Sequence, residues 1–248
     1  MTDASKSSSA ERFRFILERT LRLSRERVQE RELAAGHRLL CEWQCQRLRL
    51  TYDDFARQSR YQAAVEFFLS DLYGPVDFSQ RDEDIARVYP LMVKVLSGEA
   101  IDSLSQGLAL NSLTMELDLK LLEVLEQQYG ESFSRGDVPL DFAMYARAYK
   151  ACNNYEERRQ QISMIVEVGQ NLELVTRKKF ILAAVKLARK PAHLAGFGEL
   201  QSFIERGLAA FRKMGKAEHF LDAVHSRESR LLDAIFADQP VPEDVRVA

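Results

Sequence analysis

Hydrophobic side chains recur every three to four positions along nearly the whole chain, which is the period of an α-helix. This pattern predicts an all-α protein, a multi-helix bundle of roughly eight to ten helices. We expect residues 9–237 to form a single domain, with the loop 130–139 as a possible seam. The polar, Ser-rich residues 1–8 predict a disordered N-terminus, and residues 238–248 predict a loose acidic tail.

The segment 61–96 contains the densest aromatic cluster and sharp helix boundaries. A first helix begins near Tyr61, and Gly74-Pro75 ends it, because glycine suits the position after a helix and proline cannot continue it. A second helix is predicted to begin at Ser79 and to be kinked or rebroken at Pro90. The first helix is apolar around most of its circumference, so it should be nearly surrounded by other helices.

Two charged residues of this segment stand where the pattern predicts apolar ones. Asp71 falls in the apolar arc of the first helix, and Arg81 falls in the apolar face of the second. Because an unpaired buried carboxylate is costly, we expect Asp71 to be held by Arg81 or by backbone N–H groups of the turn. The alternative is that Asp71, Tyr73, Asp77 and Arg81 line a pocket.

Asp118 and Glu228 are two further carboxylates on predicted apolar faces. If two of the three acids met in space, one could acquire a raised pKa and perform acid–base chemistry. The simpler interpretation is that each satisfies an arginine or a helix end. A cavity joining at least two of them would therefore favour an enzyme or a sensor with a carboxylate-lined pocket, and metal or haem could occupy it.

Further along the chain, glycine and proline mark predicted boundaries. A long helix should span about 99–129, even though part of it alternates like a strand. Another helix should run from about 155 to 189 with a break near Gly169, and residues 191–198 should form a loop.

Metal and haem sites find little support. The chain has no Glu-x-x-His pair of the di-metal type, and Asp222-x-x-His225 is its nearest approach. His37, Cys41 and Cys45 recur at i, i+4 and i+8, but the outer two should lie about 12 Å apart. A haem on His37 or His225 lacks any supporting motif, and nucleotide-binding and nucleophile motifs are missing as well. We expect no cofactor and no enzymatic activity.

The N-terminal region carries ten Arg against six Glu between residues 11 and 49. A basic amphipathic helix can bind nucleic acid or an anionic surface, which is one alternative function. The interleaved glutamates are more typical of a helix face that is simply solvated. The net charge of −2 gives the whole protein no attraction to nucleic acid or to an anionic surface, so nucleic acid is not the expected partner.

Localisation and oligomeric state follow from simpler patterns. No apolar run is long enough to span a membrane, no apolar signal region opens the chain, and three Cys make no disulfide framework. We therefore expect a cytoplasmic protein. One predicted helix carries two apolar stripes, which need more than one partner and suggest a homodimer or a protein partner. The stripes are Leu39, Trp43 and Leu50, opposite Leu33, Leu40 and Leu48.

Several motifs resemble an uncharacterised family of bacterial all-helical proteins. They are FFLSDLYGP (67–75), Asp77-Phe78, Arg81-Asp82, PAHLAGFGELQSFIERGLAAFRKM (191–214) and Arg227-Glu228. The resemblance implies an all-α, bacterial, intracellular protein and brings no assigned activity. The leading hypothesis is a non-enzymatic binding or scaffold module.

Overall fold

The computed structural model describes residues 2–29, 33–72 and 79–245. Within these ranges the chain forms twelve α-helices and no strand, so the predicted all-α bundle is confirmed. The helices are α1 (Thr2–Gln29), α2 (Leu33–Thr51), α3 (Asp53–Ala56), α4 (Gln62–Phe67), α5 (Ser79–Val95), α6 (Gly98–Tyr129), α7 (Glu131–Ser134), α8 (Phe142–Ala151), α9 (Tyr155–Thr176), α10 (Lys179–Leu194), α11 (Gly198–Met214) and α12 (Glu218–Phe236).

Helix α6 is the longest element and lies against α1, α7, α8 and α9. The Ser97 hydroxyl caps its N-terminus by accepting a hydrogen bond from the Ala100 N–H, and Gly130 ends it with a φ of 68°. The segment that alternates like a strand lies inside this helix. Its leucines and methionine favour helix, and burial on several sides of α6 accommodates them.

Two large hydrophobic cores share the helices around α6. The first core joins α2, α6, α8 and α12 through residues such as Leu40, Leu121, Tyr145 and Leu232. The second core joins α4, α9, α11 and α12 through Val65, Ile165, Phe211 and Phe220. Because α9 and α12 contribute to both, the space between these cores is bounded by the same few helices.

The central aromatic segment folds much as its pattern predicts. Ala64, Val65 and Phe67 are buried in α4, while Glu66 is exposed on the polar strip. After Phe67 the helix widens into a π-helical turn, Phe68–Leu72, which the hydrophobic pattern does not reveal. Helix α5 begins at Ser79 as predicted, but it continues through Pro90 instead of rebreaking there.

Several predicted boundaries differ from the structure. The helix expected over 155–189 breaks at Arg177-Lys178, and α10 then continues through Pro191 to Leu194, where a loop was predicted. Gly169 is not a break. A Cβ atom at this position would lie 2.5 Å from the Cδ2 atom of Leu221, so the glycine permits the close approach of α9 and α12.

The described ends of the chain and the 130–139 loop contact the rest of the molecule, and the predicted domain bounds stay a prediction. Helix α1 includes residues 2–8, and the Ser9 hydroxyl anchors it to Asp102 at 3.0 Å. The tail folds back, since Val245 is buried in the first core. Phe133, inside the predicted seam, is fully buried in the same core, which contains residues from both sides of the loop.

Candidate functional site: a polar cavity between the two cores

A cavity of about 80 Å³ lies where the first and second cores meet, and we call it the polar cavity. This volume exceeds the roughly 10–15 Å³ that a single water molecule requires. Its apolar wall includes Val65, Phe68, Leu69, Ile165, Phe220 and Val224. Its polar wall includes Gln44, Arg47, Tyr52, Asp118, Arg158 and Glu228. Two of the three acids singled out in the sequence therefore line one cavity.

Glu228 of α12 is held by a two-pronged contact with Arg47 of α2. The two terminal nitrogens of Arg47 donate to the two carboxylate oxygens, both at 2.9 Å. The Tyr52 hydroxyl donates a third hydrogen bond, also at 2.9 Å. Only 7% of the Arg47 side chain and 15% of the Glu228 side chain are exposed. A charged pair with this geometry compensates much of its desolvation, and it fixes α12 against α2.

Asp118 of α6 belongs to a second, looser polar group. Its Oδ1 atom accepts a hydrogen bond from Gln44 at 3.2 Å and lies 3.7 Å from a terminal nitrogen of Arg158. Arg158 also donates to the Leu117 carbonyl at 3.0 Å and stacks over the Tyr149 ring. These two partners of Asp118 thus come from α2 and α9, which lie far from it in the sequence.

Three buried tyrosines surround the charged groups. Burial raises the pKa of Tyr52, Tyr145 and Tyr149, so these phenols stay protonated and can donate hydrogen bonds. Burial opposes the charge of Arg47, but Glu228 outweighs it and holds the pKa of the guanidinium above its usual range. The cavity therefore presents neutral phenols beside permanently charged arginines.

The π-helical turn brings two residues to the apolar wall, Phe68 and Leu69. One extra residue in a helical turn shifts the side chains that follow, and such turns occur frequently at functional sites. The carbonyl of Leu69 also accepts a hydrogen bond from the Cys45 thiol at 3.6 Å, and burial raises the pKa of that thiol to about 11.

Comparison with known proteins gives a family and no activity. The sequence profile of a family described as a domain of unknown function, DUF8198, matches residues 23–242. The chain belongs to the DUF8198 family. No curated protein and no solved structure matches it. The expected likeness to an uncharacterised family is confirmed, and all residues that line the polar cavity lie inside the matched part of the DUF8198 domain.

The predicted clamp at Asp71 has a different charge partner. In this DUF8198 domain the Asp71 carboxylate accepts two hydrogen bonds from Arg206 of α11, the longer at 2.9 Å. Arg81 lies 3.5 Å from the backbone carbonyl of Asp71 and donates to Asp82 at 3.2 Å. Tyr73 and Asp77, the other two residues of the candidate pocket, lie outside the described residues. Asp71 and Arg81 do not line the polar cavity.

The remaining candidates are placed elsewhere in the fold. The Cys41 thiol lies 3.6 Å from the Nε2 atom of His37, one turn away, while Cys45 faces the Leu69 carbonyl. Among the described residues no group of three or more His, Cys, Asp or Glu side chains could hold a metal ion. No helix in the described ranges of the DUF8198 domain is long and apolar enough to cross a membrane.

Three arginines of α1 pair with acids. Arg12 pairs with Asp102, Arg14 pairs with Glu18 on the same helix, and Arg19 pairs with Glu116 of α6. This arrangement supports the interpretation of α1 as a solvated face interleaved with acids.

Sequence reasoning missed Arg47, Tyr52 and Arg158, which complete the polar wall. A charged residue within an apolar face is a recognisable signal for the acids, because burial without a partner is costly. The arginine partners of these acids do not stand out in the sequence. A long Arg side chain can reach a buried acid from a position on the polar face of its helix, where a charged residue is expected.

Proposed function

We propose that this DUF8198 protein is a non-enzymatic binding protein whose polar cavity holds a small ligand. One observation carries the proposal: Arg47–Glu228 and Arg158–Asp118, two charged pairs from four helices, border the same cavity. Within the described part of the chain, the buried Nε atoms of Arg47 and Arg158 have no hydrogen-bond partner. Leaving buried donors unpaired is unfavourable, and a ligand oxygen could satisfy them.

The lining indicates the chemical class of this ligand. Val65, Phe68 and Val224 provide an apolar wall, whereas the two arginines and the tyrosine hydroxyls provide donors. A small molecule with an apolar body and an acceptor oxygen, such as a short-chain carboxylic acid or ketone, fits both walls. The acids on the polar wall balance the arginines, so the cavity does not require a strongly charged ligand.

Binding explains the polar contacts better than catalysis. Both oxygens of Glu228 accept hydrogen bonds from Arg47, and one of them accepts a further bond from Tyr52. A carboxylate occupied in this way is fixed in position and is poorly suited to removing a proton from a substrate. The sequence left open an enzyme or a sensor with a carboxylate-lined pocket. Of these two, a cavity lined by two acids whose oxygens are already hydrogen-bonded favours the sensor.

Native mass spectrometry of protein purified from its own host tests the proposal. The wild-type protein should carry a small organic adduct. Val224→Phe, which extends a ring into the polar cavity, should remove the adduct while circular dichroism still shows a folded helical protein. Ala146→Phe is the matched control, because Ala146 lines a second, more open hollow between α8 and α12 and should leave the adduct in place.

Two results would contradict ligand binding. The first is a wild-type protein without an adduct whose melting temperature does not rise with short-chain carboxylic acids or ketones in excess, since a ligand that binds only the folded state must raise it. The second is an adduct that Val224→Phe retains as fully as the wild-type protein does.

The homodimer stays a prediction, although the structure weakens its original motivation. Part of each α2 stripe packs inside the chain: Leu40 and Trp43 are buried in the first core, and Leu48 lies against the second. Light scattering at high micromolar concentration tests it, and a strict monomer would rule the dimer out.

A further inference from the structure

Helix α10 is the one long helix of the described chain in which no side chain is buried, and it is strongly amphipathic. It lies on the outside of α11 and α9. Phe180, Leu187 and Leu194 recur every seven residues and are exposed by 72%, 79% and 91%. We call this row the α10 stripe. Scattered apolar residues are normal on a protein surface, but large apolar side chains that recur along one face of a helix are typical of an interaction site.

The charge around this stripe is unusually uniform. Between Glu173 and Glu199 the chain has six Lys and Arg residues and no acid. Lys179, Lys186 and Lys190 are exposed and, at 100° per residue, flank the stripe on one side. None of these lysines forms an ion pair with an acid anywhere in the described ranges, whereas Arg189, on the inward side, pairs with Glu205.

We infer that α10 docks on an anionic phospholipid surface, with the stripe among the acyl chains and the lysines at the headgroups. A basic amphipathic helix with large apolar side chains on its other face binds membranes in this manner. The inference is independent of the polar cavity. It also differs from the anionic-surface hypothesis for α1, three of whose arginines pair with acids.

Two other occupants fit less well. A second copy of the chain would bring the same lysines together across a twofold axis, and like charges in an interface are unfavourable. Nucleic acid would match the lysines but would leave the stripe in water, because phosphate contacts offer no apolar partner. The stripe is exposed on the outer face of a helix, and this arrangement fits a deformable lipid surface better than it fits a protein groove.

Flotation of the full-length protein with vesicles tests the inference. The protein should float with vesicles of phosphatidylserine and phosphatidylcholine in equal parts, but not with phosphatidylcholine alone, and high salt should weaken the binding. Each lysine near an anionic surface changes the partition coefficient about fivefold, so K179Q/K186Q/K190Q should lower it about 100-fold. F180S/L187S/L194S should lower it by about 100-fold or more through lost apolar burial.

The matched control is F15S/L91S, which removes two exposed apolar side chains from α1 and α5 and should bind vesicles like the wild-type protein. All variants change exposed residues and should melt near the wild-type temperature. Failure of the wild-type protein to float in low salt would overturn the inference and leave an acidic protein as the occupant of this face. Binding that survives F180S/L187S/L194S would overturn it as well, because a purely electrostatic contact does not use the stripe.

Discussion

Helices α10 and α12 have nearly the same length and a similar division into apolar and polar faces, yet they have opposite environments. On α12, Phe220, Leu221 and Leu232 are buried in the cores. On α10 the α10 stripe is open to solvent. An amphipathic pattern therefore predicts that a helix has a face to cover but does not identify what covers it.

The charged residues of the two helices also differ in whether their partners lie inside the molecule. Glu228 of α12 is surrounded by donors inside the molecule, whereas the exposed lysines of α10 have no acidic partner in the described ranges. Charges inside a protein must find partners in the chain, and charges on the surface can find them in another molecule. We therefore expect changes on α12 to alter stability and changes on α10 to alter interactions.

Truncation of one phenylalanine on each helix tests this contrast directly. Phe220→Ala should lower the free energy of unfolding by about 3–5 kcal/mol, because it empties a fully buried aromatic site. Phe180→Ala should change it by less than about 0.5 kcal/mol, because the side chain is 72% exposed. Urea unfolding followed by circular dichroism measures both. A Phe180→Ala variant as unstable as Phe220→Ala would show that α10 is covered within the molecule.

Removal of one partner from the Arg47–Glu228 pair should have an effect of similar size. Glu228→Ala leaves a buried guanidinium without its carboxylate, and we expect a loss of about 3–5 kcal/mol. The double variant R47M/E228L removes both charges and should recover much of this loss, since an apolar pair of similar volume avoids the desolvation cost. Chemical unfolding of R47M, E228L and R47M/E228L gives the coupling free energy, and Glu228→Ala is measured beside them.

The matched control for this pair is R14Q/E18Q on α1, whose side chains are mostly exposed. Surface pairs of this kind contribute about 0.3–0.5 kcal/mol, so the control should resemble the wild-type protein. A double variant R47M/E228L that is as unstable as Glu228→Ala would contradict the assignment of the loss to an unpaired charge.

The sequence predicted the parts of this architecture that depend on local pattern. The helical period identified the bundle, and misplaced charges identified Asp71, Asp118 and Glu228 as residues needing partners. The partners Arg206, Arg158 and Arg47 could not be predicted, because each comes from a distant helix and tertiary packing decides which helices meet. The break at Arg177-Lys178 was missed for a related reason, since no glycine or proline marks it.

Asp71 and Arg206 allow a smaller test with a close control. Arg206→Gln leaves a carboxylate that is 10% exposed without its guanidinium, and we expect a loss of about 1–3 kcal/mol. Arg189→Gln removes an equally exposed arginine from α10, but its partner Glu205 is better hydrated, so stability should stay close to that of the wild-type protein. Thermal and urea unfolding measure the difference. Equal stability of the two variants would mean that Asp71 does not need Arg206.

The buried tyrosines predict the smallest effect, a change in pH dependence. Burial holds the pKa of Tyr149 above its usual value near 10, so the unfolded chain loses this proton at a lower pH than the folded protein does. The stability that Tyr149 contributes is complete below pH 10 and decreases as the pH rises above it. Tyr149→Phe should therefore make the alkaline decline of the unfolding free energy shallower by about 1.4 kcal/mol per pH unit.

Urea unfolding at a series of alkaline pH values measures this slope, and the same series near neutral pH is the control. Near neutral pH the unfolding free energies of the wild-type protein and of Tyr149→Phe should change with pH in the same way, because the phenol titrates in neither the folded nor the unfolded state. Identical alkaline slopes would show that the Tyr149 hydroxyl reaches water in the folded state. The polar cavity would then be a wet cleft instead of a mostly buried space between the two cores, and α12 would differ less from α10 than its buried residues indicate.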